Sequence, residues 1–475
     1  MDMDFATEIV AAINSVLWGP YCLIPLLVGT GVYFTFKLRL VQIRFFMKAC
    51  RLVFGGIKIF GKEAGKDGMS SFQSLATAIA GQVGTGNLAG VATAIAMGGP
   101  GAIFWMWIAA FFGMATIFVE AVLAQLYKTK DKVGHTTGGP AFYIQNGLNC
   151  RPLAVFFAIC IIVALGFVGN MVQSNSISAA FATAFAIPEW FCGVFIVMLV
   201  GFTVVGGVRR IAYTTEKLVP LMAMVYIIGS ITVITENWDM VGHALYMIVV
   251  GAFNPEAATG GIVGASIKEA VRYGVARGLF SNEAGMGSTP HAHAVAKVHC
   301  PAEQGLAAMM GVFFDTFVVL NMTAFVIFCT GVLDGHTTGI ALTQSAFSKG
   351  LGTIGFGFVA TCLFFFAFTT IIGWYFYAEQ NVKYLFGPKS LGMYRVLVLC
   401  FVMAGSFLQV NLVWELADLF NGLMVLPNLI ALIGLGRMVS KSLKEFEADP
   451  NVIFTPLPKT EDEPDGPSFV ERFDR

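Results

Sequence analysis

The chain reads as apolar runs of membrane-span length separated by short polar connectors. At roughly 20 apolar residues per crossing, eleven spans are predicted: about 10–36, 69–97, 100–127, 153–185, 190–208, 213–235, 264–296, 303–332, 353–385, 391–408 and 411–436. A basic stretch from Lys37 to Lys66 follows the first span. It interleaves Leu, Ile, Phe and Val with Arg44, Lys48 and Arg51, a spacing that suits an amphipathic helix on the membrane surface. Residues 237–262 and 335–350 are expected as non-spanning excursions with short helices. The tail from Lys441 is polar, acidic and rich in proline, and disorder is expected beyond its first turns.

Two spans depart from the pattern. GQVGTGNLAG, Gly81 to Gly90, places four glycines and a polar core inside an apolar run from Met69 to Met97. Glycine is a poor helix former, and backbone left unpaired in lipid costs several kcal/mol per group. Such a break persists where the freed backbone faces protein, water or a bound solute. Transporters place their sites at such breaks, and a second break is then expected in the other half of the chain. LFSNEAGMG, Leu279 to Gly287, supplies it, and Asn-x-Ala-Gly occurs in both, at Asn87–Gly90 and Asn282–Gly285.

Without the first helix, ten spans divide five and five, and each half opens with its interrupted helix. An odd number of helices per half inverts one half relative to the other. The expected fold is an all-α polytopic membrane protein with 11 transmembrane helices, a 5+5 inverted repeat and one extra N-terminal helix. Its segments are 1–36, the cytoplasmic amphipathic 37–66, a first repeat 69–236, an outer excursion 237–262, a second repeat 263–437 and a cytoplasmic tail 438–475. With the N-terminus outside and the C-terminus inside, 25 of the 29 lysines and arginines fall on the cytoplasmic side, as the positive-inside rule requires. The acidic start, Met1 to Glu8, lacks the basic region of a signal peptide, so the first helix is expected to be retained.

Composition agrees with the pattern. The chain has 475 residues, 56% of them hydrophobic and 12% charged, against about 25% charged in soluble proteins. Zero net charge suggests no nucleic-acid partner. The nine cysteines are scattered without a CxxC pair and read as packing residues. A nucleophile–base pair, an HExxH motif and a phosphate loop are all lacking, which argues against an enzyme. No organic cofactor is implied.

Three motifs carry a resemblance. GQVGTGNLAGVATAIAMGGPGAIFWMWIAAFFGMA, GLFSNEAGMGSTPHAHA and TTIIGWYFYAEQNVKYLFG closely resemble the alanine or glycine:cation symporters, also called sodium:alanine symporters. That family belongs to the amino acid–polyamine–organocation superfamily, with the leucine-transporter-like 5+5 repeat. The resemblance covers nearly the whole chain. It implies a small neutral amino acid, alanine or glycine, as solute, Na⁺ as the usual coupling ion, and a bacterial or archaeal cytoplasmic membrane. A proton-coupled symporter on the same scaffold and an amino-acid channel are the alternatives; stoichiometry and oligomeric state stay open.

At the first break, amides around Gly86 and Asn87 begin a half-helix suited to the solute carboxylate, with the polar Thr85 beside them as a further substrate-binding candidate. Carbonyls from Gly81 to Gly84 suit a hard cation. Close helix packing through Gly86 and Gly90 is the rival reading. At the second break, Phe280 is placed to cap the pocket and Gly285 to leave room for a very small side chain. Glu283 is an intramembrane acid and so a gate or coupling candidate, near the cation or paired with Arg277. A structural ion pair is the alternative. By the resemblance, Gln173, Thr370 and Trp374 contact the solute, and Thr369 and Thr370 lie near Na⁺. Asp315 and Glu120 are expected to be structurally paired and away from the breaks; carrying the coupling proton, were the ion H⁺, is the alternative for either. His291 and His293 point to different helix faces, so a metal site between them is not expected.

Overall fold

The computed structural model describes residues 3–19, 21–54, 69–131, 134–254, 265–408 and 411–449. The stretch expected as one first span forms two helices, α1 (Met3–Leu17) and α2 (Leu23–Lys37). The Gly19-Pro20 sequence between them explains the division, because proline lacks a helix donor and disfavours helical backbone before it. Two short helices follow, α3 (Val41–Arg44) and α4 (Phe46–Phe54). They cover the first part of the basic stretch; the remainder, to Lys66, lies outside the described residues.

The first interrupted span is α5 (Ser71–Gln82), a π-helical turn (Gly86–Gly90) and α6 (Val91–Gly98). Next come α7 (Gly101–Leu126), α8 (Pro140–Leu148), α9 (Arg151–Ile161), a π segment (Ile162–Gly169) and α10 (Asn170–Phe185). Then come α11 (Glu189–Val205), α12 (Gly207–Glu236) and the short α13 (Val241–Gly251). The second interrupted span is α14 (Ile267–Asn282) and α15 (Pro290–Ala294). The chain continues through α16 (Pro301–Phe313), a π segment (Phe314–Leu320) and α17 (Asn321–Thr330). It ends with α18 (Gly339–Leu351), α19 (Gly355–Phe386), α20 (Leu391–Phe407) and α21 (Asn411–Ala448).

Among the described residues, seven helical stretches are long and apolar enough to cross a membrane, joined by shorter apolar helices. Exposed apolar rows mark the lipid-facing side. On α11 these include Met198 and Phe202, on α12 Met224 and Ile228, and on α20 Met393 and Val396. The inner faces bury many polar groups instead, and these gather where the two interrupted spans meet.

Both interrupted spans start alike. Ser70 caps α5 in a reciprocal box with Gln73, and Ser266 caps α14 in one with Glu269. They are also tied directly. Met69–Ser70 (β1) and Ala296–Lys297 (β2) form a two-residue parallel pair, and Ser74 Oγ donates to the Ala292 carbonyl at 2.9 Å. Lys128 closes over this pair, donating to the Ala296 carbonyl at 3.2 Å. Burial, reinforced by the Lys297 charge, pushes the Lys128 pKa down to about 8.

Candidate functional site

The first break lies between α5 and the π turn. Val83 leaves the helix in extended backbone. Gly84 N–H then donates to Asn87 Oδ1 at 3.0 Å, and Thr85 N–H to Gln173 Oε1 at 3.3 Å. Thr370 Oγ1 lies 2.9 Å from the carbonyl of Ala80, 3.3 Å from that of Val83 and 3.0 Å from that of Phe366 on its own helix. The last carbonyls of α5, the negative end of a helix dipole, are thus held by α19. A Cβ added at Gly84 would lie 2.5 Å from Thr370 Oγ1, so the absence of a side chain permits this approach. Gly81 does the same for Tyr377, whose hydroxyl would lie 2.6 Å from an added Cβ.

The second break begins at Glu283, in left-handed backbone with φ 58. Gly285 and Gly287 also take positive φ. Phe280 packs edge-on to Trp374, ring centres 6.2 Å apart. Trp374 Nε1 donates to Glu283 Oε1 at 2.5 Å, and Ser288 Oγ to Glu283 Oε2 at 2.6 Å. Gln82 links the two breaks, its Nε2 donating to the Asn282 carbonyl at 2.7 Å.

Asp315 is where both breaks converge. Its Oδ1 accepts from Asn87 Nδ2 at 2.6 Å and from Ser281 Oγ at 3.0 Å, and its Oδ2 accepts from Thr316 Oγ1 at 3.0 Å. This corrects the expectation that Asp315 lies away from the breaks. It sits in the π segment 314–320, whose wider turn re-aims the residues around it, and π segments recur at functional sites. Glu120 is corrected likewise. Its carboxylate accepts from the N–H groups of Gly285 (3.1 Å) and Gly287 (2.9 Å) and from Asn428 Nδ2 (2.6 Å). Among the described residues, Asp315, Glu120 and Glu283 are all buried with no lysine or arginine in ion-pair reach. The expected structural ion pairing is therefore replaced by hydroxyl and amide donors.

Three other expected site residues face elsewhere. Arg277 is engaged with Asp418 on α21 through two bonds of 2.9 and 3.1 Å, and not with Glu283. A Cβ at Gly285 would meet Leu27 at 2.7 Å and Thr116 at 3.5 Å, so this glycine serves helix packing against α2 and α7. Thr369 bonds back to the Phe365 and Phe366 carbonyls of its own helix and faces Met222. One residue along a helix turns a side chain by about 100°, so Thr369 and Thr370 cannot share the α5 carbonyls.

Thr85, Gly86, Asn87, Gln173, Phe280, Thr370 and Trp374 do gather around the breaks. Gly86 packs on Ser281, whose Cα would lie 3.2 Å from an added Cβ. The Thr85 hydroxyl and Gln82 Oε1 are buried without a hydrogen-bond partner among the described residues. Two orphaned polar atoms beside bare peptide groups suit a polar ligand.

The profile of the sodium:alanine symporter family matches residues 3–453. The chain belongs to that family. As a member, it is 43% identical over 443 residues to the probable sodium/glutamine symporter GlnT of Bacillus subtilis, covering 92% of this chain and 90% of that one. It is 40% identical over 452 residues to the sodium/alanine symporter AgcS of Methanococcus maripaludis, covering 94% and 98%. Among solved structures it resembles MhsT in complex with L-phenylalanine, with TM-score 0.57 and 14% identity, covering 82% of this chain and 98% of that one. The fold of this family member is thus leucine-transporter-like, and the chain is an integral membrane protein of a transporter family.

Two predictions follow from this family member's geometry. Thr370→Val should weaken cation dependence of transport about fivefold or more, the worth of one neutral hydrogen bond or two, whereas Thr369→Val should change it less than about twofold. Sodium activation curves for both variants would check this. Glu120→Gln turns one acceptor into a donor facing Gly285 or Gly287. It should cost about 1–3 kcal/mol of stability, seen as a lowered thermal midpoint of the purified protein.

Proposed function

We propose that this protein couples uptake of a small neutral amino acid, alanine or glycine, to Na⁺ by alternating access. The observation that carries the reading is Asp315, a buried carboxylate bonded to both breaks at Asn87 and Ser281. A lone carboxylate buried at midmembrane depth is costly. A cation bound among Asp315, Ser281 and Thr316, all oxygen donors, offsets that cost. A second cation position is proposed at the α5 carbonyls from Gly81 to Gly84, with Thr370 as the hydroxyl donor set beside them.

The solute is proposed to lie at Thr85, Gly86, Asn87 and Gln173, under Phe280 and Trp374. The start of the π turn favours its carboxylate, and the unpartnered Thr85 hydroxyl is free to bond it. Glu283, held by Trp374 and Ser288, is proposed to couple pocket and gate by moving with the second break. The names of GlnT and AgcS support amino-acid transport with sodium, and their different solutes make the preference a matter for experiment.

The eleven-span count, the inverted repeat, the outside N-terminus and the cytoplasmic C-terminus belong to the same proposal. Coupling requires that cation and solute raise each other's affinity by one factor. Each Na⁺ entering then adds about 2.3 kcal/mol per 100 mV.

The test is uptake by purified protein in liposomes across a panel including alanine, glycine and glutamine, with Na⁺ titrated at fixed pH. Accumulation against a gradient that needs Na⁺ supports the reading. Accumulation driven by a pH gradient without Na⁺ would transfer coupling to protons. Solute equilibration without accumulation would make the protein a channel.

A further inference from the structure

Away from the breaks, the end of α2, the turn at Arg39 and Leu40, α3 and the last turns of α21 enclose a small cleft. Lys37, Arg39, Arg44 and Lys444 line it, against one carboxylate, Glu447. Arg44 pairs with Glu447 at 2.7 Å, and Lys37 donates to the Tyr33 hydroxyl at 2.7 Å. Among the described residues, Lys37, Arg39 and Lys444 have no carboxylate partner. Leu38 and Leu443, both buried, form the apolar part of the lining.

The turn that presents Arg39 is strained. Arg39 and Leu40 take φ 53 and 58, two consecutive non-glycine residues in left-handed backbone. Such strain persists only where surrounding structure imposes it, and it clusters at functional segments. Here the Arg39 and Leu40 N–H groups bond the Phe36 and Thr35 carbonyls at 3.0 and 2.7 Å. Beside the cleft, Phe36, Ile43 and Met47 are 71%, 58% and 63% exposed. Cations lie next to large apolar side chains, all at the end of an apolar helix.

We propose that this cleft binds the phosphodiester headgroup of an anionic phospholipid, with its acyl chains against Phe36, Ile43 and Met47. Guanidinium and ammonium groups supply charge-assisted donors to phosphate oxygens, and basic pockets at helix ends hold anionic headgroups. A soluble phosphate would use the same cations but not the apolar rim. The bound lipid ties α2 and α3 to α21. That last helix carries Asn428, which bonds Glu120 and Gly285, and Asp418, which holds Arg277. The headgroup therefore steadies the helix that braces the second break.

The experiment is native mass spectrometry of the delipidated full-length protein with phosphatidylglycerol and phosphatidylcholine of matched chains. Retention of phosphatidylglycerol should exceed that of phosphatidylcholine by about fivefold or more. The double variant Arg39→Gln, Lys444→Gln should lose about tenfold of that retention. Both positions are exposed, and an unchanged thermal midpoint would verify folding. Should the variant misfold, the unaltered protein still decides: its preference should fall as ionic strength rises. Equal retention of the two lipids, a preference indifferent to salt, or undiminished retention by the folded variant would overturn the proposal. Displacement of phosphatidylglycerol by equimolar glycerol phosphate would also overturn it, by making the site one for soluble phosphate.

Discussion

Asp315→Ala is expected to abolish sodium-dependent uptake, raising the sodium concentration for half-activation by about 100-fold or more. The side chain accepts from Asn87 on the first break, from Ser281 on the second and from Thr316 beside it. Its removal leaves buried donors unsatisfied and takes away the carboxylate that joins the side chains of the two breaks at Asn87 and Ser281. Asp315→Asn separates charge from shape. The amide keeps the size and one acceptor, so folding should survive while cation dependence does not. The measurement is alanine uptake against Na⁺ concentration, with thermal midpoints recorded beside it. Normal sodium activation in a folded Asp315→Asn protein would remove the carboxylate from the cation site.

Gly84→Ala is expected to be nearly as damaging, through space alone. The added Cβ would lie 2.5 Å from Thr370 Oγ1 and 3.3 Å from Gln173 Oε1. Overpacking a closed site costs about 1–3 kcal/mol, which converts to roughly 5- to 150-fold in an equilibrium constant. Thr370 cannot retreat without leaving the Ala80 and Val83 carbonyls. Sodium activation should therefore suffer along with solute affinity. Binding of alanine to purified protein at several Na⁺ concentrations would read both. Affinity within twofold of the parent would show that α19 yields at this point, and that α5 and α19 are not held as closely as their contacts imply.

The acids show why part of the site was hidden. Intramembrane carboxylates are functional candidates from their residue type alone, and Glu283 reads as one, whereas Asp315 and Glu120 read as structurally paired and remote from the breaks. What a single sequence does not contain is the rotation of one helix against another. Asn87 and Asp315 are 228 residues apart, and Glu120 and Gly285 are 165 apart. The π segment around Asp315 shifts the helical phase that spacing arguments assume. Arg277 shows the converse: Glu283, six residues away in sequence, is the partner that spacing offers, yet Asp418 on α21 holds it.

From the sequence alone came the membrane class, the two interrupted spans and the family resemblance, because run length, glycine content and contiguous motifs are local properties. The neighbours of each polar group came only from packing. Which of two adjacent threonines meets the α5 carbonyls, which glycine faces a helix and not a pocket, and which carboxylate joins the breaks all depend on helices far apart in the chain. Local backbone chemistry dictates where a helix must stop. Long-range packing dictates what the freed peptide groups will meet.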